Sequence, residues 1–182
     1  MLKRVLADRL LDLKRGFMTF PKPSDILFSA IIVLIYAITV GIIGSLTGFF
    51  KIGILRTKIW VMVLLPVSLF FWPSLLEETF FRGVLLPHKG RKLSRGYLLF
   101  YSFFNILAFI VWHPINALTI NRLAYPIFTN PIFLCLATFM AIACTVTYLK
   151  SGSIWIPIAI HWLTVLIWVF FLSGRNVLLD VI

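Results

Sequence analysis

Five long apolar runs dominate the chain, and short segments rich in Lys and Arg separate them. The runs cover residues 26–49, 59–87, 97–114, 131–149 and 153–173. Each is long enough, or nearly so, to cross a hydrocarbon core about 30 Å thick as a helix. Pro66 and Pro73 lie inside the second run, so we expect that helix to be kinked. The pattern predicts an all-α fold, a polytopic membrane helix bundle with about five transmembrane helices.

A different pattern precedes the first run. On a helix over residues 1–20, one face carries the apolar side chains of Leu2, Val5, Leu6, Leu10 and Leu13. Lys, Arg and Asp occupy most of the other positions, which is typical of an amphipathic helix on the membrane surface. The sequence PKPSD ends this helix, and Ser24 or Asp25 is suited to cap the next one. We therefore divide the chain into a membrane-surface segment, 1–25, and a transmembrane bundle, 26–182.

Composition supports a membrane protein over a soluble one. Hydrophobic residues make up 61% of the chain and charged residues 13%, whereas soluble domains are about half apolar and about a quarter charged. A net charge of +11 would suggest nucleic acid as the partner of a soluble protein. Here the basic residues cluster between apolar runs, so we expect contact with anionic lipids and no nucleic-acid partner.

The basic residues also predict an orientation. With the N-terminus in the cytoplasm, the inner segments hold eleven Lys and Arg and the outer segments hold five, while Arg82 lies within the membrane. This bias predicts a cytoplasmic N-terminus and an outer C-terminus. We expect an integral protein of a bacterial-type inner or plasma membrane.

Few ionisable side chains lie inside the apolar runs, and each costs at least a few kcal/mol there, so each is a functional candidate. Glu77 and Glu78 are the only glutamates, and Arg82 follows them in the same run. Glu78 and Arg82, four residues apart, share a helical face and can pair, whereas Glu77 is rotated by about 100°. His113 ends the third run and His161 lies in the fifth. The competing interpretations are a structural polar knot, an interfacial His113 and a helix–helix hydrogen bond from His161.

These residue types point to water activation. A carboxylate and an imidazole can hold one water between them and take its proton, while a second imidazole stabilises an oxyanion. Glu77 is the carboxylate left free for this role. Alternatively, Glu77, His113 and His161 make up a zinc ligand set.

Three other residues are expected to have no catalytic, ligand or redox role. His88 lies in a basic loop, and we expect it to be solvated or interfacial. Cys135 and Cys144 lie within one apolar run, and we expect both to be small buried hydrophobes.

Three short motifs stand in order on successive runs: EETFFRG at 77–83, FIVWH at 109–113 and SGSIWIPIAIHW at 151–162. Together they resemble the CAAX-protease and bacteriocin-processing family of intramembrane endopeptidases, whose pattern is E-E-x-x-x-R, F-x-x-x-H and H-x-x-x-N. The resemblance covers a protease-like core of about residues 70–173.

The resemblance implies hydrolysis of a peptide bond in a membrane-associated protein or peptide, by a glutamate-type mechanism without a metal cofactor. It implies that Glu77 and His113 activate the water and that His161 helps to bind the oxyanion, with Glu78 and Arg82 as the supporting pair. Two alternatives stay open. One is a non-catalytic membrane subunit or assembly factor on the same scaffold, with a membrane-complex partner, and the other is a zinc-dependent membrane hydrolase.

The third motif departs from the family pattern. The position four residues after His161 is Val165 instead of Asn, and valine donates no hydrogen bond. Thr164 is rotated by about 60° from His161 and would substitute poorly. Losing one oxyanion donor typically costs about 10²–10³ in rate, so Val165 puts turnover in doubt.

The expected depths of Glu77 and His113 in the membrane also differ. If the third run starts at the inner surface near residue 97, His113 lies about 24 Å from that surface and Glu77 about 15 Å. The two side chains then meet only if the loop dips inward, the helices tilt or the second run breaks at Pro73.

Overall fold

Six helices form the fold, and a computed structural model describes them over residues 2–174, with side chains from residue 7. They are α1 (Leu2–Met18), α2 (Pro23–Leu46), α3 (Ile59–Leu85), α4 (Arg95–Thr119), α5 (Pro131–Ser151) and α6 (Trp155–Phe171). A 3-10 turn (Arg122–Ala124) and a single helical turn (Tyr125–Phe128) join α4 to α5. Within residues 2–174 there is no β-strand. The predicted outer C-terminus, with Arg175, lies outside the described residues.

Four of these helices, α2 to α5, are long and apolar enough to cross a membrane. The fifth apolar helix, α6, has 17 residues, which is the lower end of the length that spans a bilayer. The predicted all-α polytopic bundle is therefore confirmed. Helix α4 is longer than its apolar run because it continues through Pro114 to Thr119, and His113 consequently lies inside the helix.

Helix α3 is irregular where the sequence predicts a kink. Trp72 has φ −133° and ψ 116°, outside the helical region, and Pro73 follows it without an N–H to donate. Wide π-type turns cover Phe70–Leu75 and Thr79–Leu85. The one regular turn between them, Leu76–Glu78, carries both glutamates. Such wide turns within α-helices often occur at functional sites.

Helix α1 is docked on the bundle by polar contacts and by the apolar side chains of Leu13 and Phe17. Asp12 is fully buried and accepts a hydrogen bond of 2.8 Å from Nε of Arg91. The carbonyl of Gly16 accepts from the N–H of Ile154, just before α6. Leu10, on the apolar side, is 56% exposed. The helix thus binds protein through Asp12 and through the partly buried Leu13, and it leaves Leu10 outside, where a membrane surface can receive it.

The loop after α3 folds back against α1 and the α5–α6 turn, and it buries His88. His88, which we expected to be solvated or interfacial, is not solvated, because the side chain is only 7% exposed. Its Nδ1 accepts from the N–H of Gly90, so its Nε2–H donates to the carbonyl of Gly152. Cys144 is buried as expected, but Cys135 is exposed on the outer face of α5.

His88 makes the stability of this corner depend on pH. Burial lowers the pKa of His88 below its ordinary value of 6.5. The unfolded chain therefore binds the proton in a pH range where the folded chain does not, and stability falls as pH drops below about 6.5. We expect the wild-type melting temperature in detergent to fall between about pH 7.5 and about pH 5, and the variant His88→Gln to lose most of that dependence. Equal pH slopes for the two proteins would contradict this.

Candidate active site

The carboxylate of Glu78 is the centre of a fully buried polar cluster. Its Oε1 accepts from Nη1 of Arg82 at 3.0 Å and from Nδ1 of His161 at 2.9 Å. Nη2 of Arg82 donates to the carbonyl of Ala141 at 3.1 Å, and the guanidinium lies 4.7 Å from the ring centre of Phe109. The pair predicted from the four-residue spacing forms, and it ties α3 to α4, α5 and α6.

Close packing holds the wide turn that carries Arg82. A Cβ at Gly83 would lie 2.5 Å from Cδ1 of Leu13 in α1 and 3.0 Å from Cδ1 of Ile154, so a larger residue there would require these side-chain ends to shift. On the opposite side, Nδ2 of Asn105 in α4 donates to the carbonyl of Phe81. Helices α1 and α4 thus contact the same turn of α3 from two sides.

Glu77 projects towards α4, away from the Glu78 cluster. Its Oε1 accepts a hydrogen bond of 3.0 Å from the indole N–H of Trp112. Its Oε2 is buried and has no hydrogen-bond partner among the described residues. One oxygen of this carboxylate is therefore fixed by α4, and the other makes no hydrogen bond within the described part of the chain.

His113 is buried one residue after Trp112, in an aromatic enclosure. Its Nδ1–H donates to the carbonyl of Phe109 at 2.8 Å, which leaves Nε2 of the neutral ring as an acceptor. The rings around it have centres 4.9 to 5.2 Å away and belong to Phe109, Phe128 and Phe133. The free ring nitrogen can accept a proton or a hydrogen bond from water.

The antiparallel helices α3 and α4 are offset along their length, so that Glu77 contacts α4 close to His113. The contacts Phe81–Asn105 and Glu77–Trp112 set the two antiparallel helices in register. Counted from the nearer contact, Phe81–Asn105, Leu85 at the end of α3 is level with about residue 101, and α4 extends about 9 Å beyond it. Glu77 consequently reaches α4 one residue from His113. No direct hydrogen bond joins the two side chains in the described part of the chain.

The contact with Glu78 determines which nitrogen of His161 is available. Arginine stays protonated in proteins, so Glu78 is an ionised acceptor and Nδ1 of His161 carries a hydrogen. Nε2 of His161 therefore donates only when the ring is doubly protonated. In that form His161 and Arg82 balance Glu78 and Glu77, and the four buried groups together carry no net charge.

The structure provides no hydrogen bond from Thr164 to replace the missing asparagine, and within the described residues it provides no set of metal ligands. The hydroxyl of Thr164 donates to the carbonyl of Ile160 at 2.8 Å, so it does not replace the asparagine missing at Val165. Over the described residues, no three His, Cys, Asp or Glu side chains are placed to hold a metal ion. The alternative zinc set of Glu77, His113 and His161 is not brought together as a ligand shell.

Two side chains of the site, Trp112 and Asn105, were not predicted from the sequence. Asn105 carried a usable signal, because Asn105, Phe109 and His113 follow one another at four-residue spacing and so form one stripe of α4. Trp112 carried none, since tryptophan in a membrane segment is ordinarily an interfacial anchor.

We expect Glu78 and Arg82 to stabilise the fold, and we expect Glu77 to contribute little to stability. Removing one member of a buried ion pair costs about 3–5 kcal/mol, because the other charge stays buried without a partner. We expect Arg82→Ala and Glu78→Ala to lower the melting temperature and the yield of monodisperse protein in detergent. Glu77→Gln keeps an acceptor for Trp112 and should leave both measurements close to wild type. Equal losses in all three variants would contradict this division.

Comparison with known proteins agrees with the geometry. The model of a family described as Rce1-like, type II CAAX prenyl endopeptidase Rce1-like, matches residues 57–167, more than half of the chain. The matched segment includes α3 to α5 and the part of α6 that carries His161. No curated protein and no solved structure matches the chain.

Proposed function

Because this chain belongs to the Rce1-like family of type II CAAX prenyl endopeptidases, we propose that it hydrolyses a peptide bond of a membrane-associated protein or peptide within the bilayer. The observation that carries the proposal is the carboxylate of Glu77. One of its oxygens is held by Trp112, and the other is buried and unpartnered one residue from the position of His113 along α4. A carboxylate in that setting is suited to general base catalysis.

In the proposed reaction, one water is held between Oε2 of Glu77 and Nε2 of His113. Glu77 takes a proton from the water as its oxygen adds to the carbonyl carbon of the scissile bond. The resulting oxyanion accepts a hydrogen bond from Nε2–H of the doubly protonated His161. When the tetrahedral intermediate collapses, the C–N bond breaks and Glu77 returns the proton to the leaving amine. Glu78 and Arg82 act by holding His161 and the turn that carries Glu77.

The chain is an integral membrane protein, and we place it in a bacterial-type inner or plasma membrane with its N-terminus in the cytoplasm. The excess of Lys and Arg on that side supports this orientation and contact with anionic lipids. Residues 70–173 would be the protease-like core, and the exposed apolar helix faces are suited to bind a further membrane protein. The proposed reaction requires no metal, and metal analysis of the purified protein tests this against the zinc-dependent alternative.

The roles of Glu77 and His113 are tested in cells that lack the protein and receive wild type or a variant. We expect Glu77→Gln and His113→Ala each to abolish the length change of the substrate, because each removes one partner of the water. Both variants should still accumulate in the membrane. The measurement is mass spectrometry of membrane-protein termini, with His88→Gln as a control outside the site. Normal processing by either variant would sink the proposed mechanism.

A second candidate function is favoured by Val165, a half-buried valine where the family pattern has asparagine. A chain that lacks this donor is suited to act as a non-catalytic membrane subunit or assembly factor on the same scaffold. A partner that co-purifies equally with wild type and Glu77→Gln, with no cleavage by either, supports that function.

The variant Val165→Asn separates the two candidates. If the chain is a protease weakened by the missing donor, Val165→Asn should raise turnover by about tenfold or more, since one oxyanion donor is worth about 10²–10³. The measurement is cleavage of a quenched fluorogenic peptide with a farnesylated C-terminal CAAX sequence in proteoliposomes. Val165→Ile, which adds no donor, is the matched control. No gain over that control would favour the non-catalytic function.

A further inference from the structure

We infer that Trp112 is a positioning residue for the base: its indole N–H holds Oε1 of Glu77, so that Oε2 alone takes the proton from the water. This inference rests on the proposed function, because it assigns the general base to Glu77. It adds a residue that the motif pattern leaves unspecified, since Trp112 fills a variable position between Phe109 and His113.

Because the indole N–H can only donate, its contact with Glu77 favours one protonation state of the carboxyl group over the other. The indole N–H is a donor and has no acceptor. It lies 3.0 Å from Oε1 of Glu77 and therefore stabilises the ionised carboxylate. A protonated Glu77 can keep this contact only through the oxygen that lacks the proton. Trp112 thus favours the ionised form and directs the proton to Oε2, the oxygen that is buried without a partner.

The surroundings of Glu77 make this one hydrogen bond important. The charged and titratable groups around Glu77 are His161 from α6, Glu78 and Arg82 from its own helix, and His113, which follows Trp112 on α4. Arg82 and His161 are both hydrogen-bonded to Glu78, so neither is a direct partner of Glu77. Among the described side chains, Trp112 is the one that donates a hydrogen bond to Glu77. It also fixes the carboxylate to α4, the helix that carries His113.

The decisive experiment observes the carboxyl group itself. Infrared spectra of the purified protein, recorded across pH, contain the C=O band of protonated Glu77, which is identified by its loss in Glu77→Gln. Trp112→Phe removes the N–H, so the ionised form loses its donor. We expect the titration midpoint of this band to move to higher pH by about one unit, the value of one charge-assisted hydrogen bond. The C=O frequency should change as well.

Two further variants keep the experiment interpretable. Trp155→Phe is the matched control, because Trp155 donates its indole N–H to the carbonyl of Phe17 at 3.0 Å, away from the cluster. If Trp112→Phe does not fold, benzothienylalanine at position 112 keeps the shape of the ring and replaces the N–H with sulfur. A band with the wild-type midpoint and the wild-type frequency in the position-112 variant would overturn the inference.

Turnover of the farnesylated fluorogenic peptide separates this inference from the proposed function. If both hold, loss of the N–H lowers kcat about tenfold or more with little change in KM, and it moves the acid limb of the pH–rate profile to higher pH. If Glu77→Gln still cleaves the peptide, the proposed function fails whatever the infrared result. If Glu77→Gln is inactive while the position-112 variant keeps the wild-type band and pH profile, only the role of Trp112 fails.

Discussion

Charge neutrality inside an apolar bundle is the constraint on which this structure depends, and the carboxylate of Glu78 satisfies it. A single charge at membrane depth costs several kcal/mol, and the cost is reduced here because Arg82 carries the opposite charge 3.0 Å from Glu78 and His161 is hydrogen-bonded to the same oxygen. The same contacts fasten the middle of α3 to α6, while Arg82 reaches the backbone of α5 at Ala141. The packing of three helices and the orientation of the His161 ring therefore follow from one side chain.

Helix α3 is irregular on both sides of its two adjacent glutamates, and these glutamates contact different neighbouring helices. A break at Trp72 and a wide turn after Glu78 flank the single regular turn that holds them. Leu13 of α1 presses against Gly83 on one side of the second wide turn, and Asn105 of α4 binds its free carbonyl at Phe81 on the other. Irregular backbone is tolerated at membrane depth where protein buries it, and α1 and α4 provide that burial.

Local spacing predicted a good part of this arrangement, and long-range register did not. The apolar runs predicted the helices, the prolines predicted the irregular α3, and the four-residue spacing predicted the pair Glu78–Arg82. The sequence could not say that His161 would bind Glu78, because that contact joins residues 83 positions apart. The offset of α4 and the burial of His88 were missed for the same reason, since each depends on where a loop turns and which helix α1 docks against.

The pairing of Glu78 with Arg82 also bears on how the chain is built. The two residues lie on one helix, so α3 carries its own counter-charge from the moment it leaves the ribosome and can partition into lipid as a neutral unit. Glu77 has no such companion until Trp112 and His161 have been synthesised, and during that interval a neutral, protonated carboxyl is its least costly form in lipid. Order of synthesis thus separates the glutamate whose counter-charge lies on its own helix from the glutamate whose hydrogen-bond donor lies on a later one.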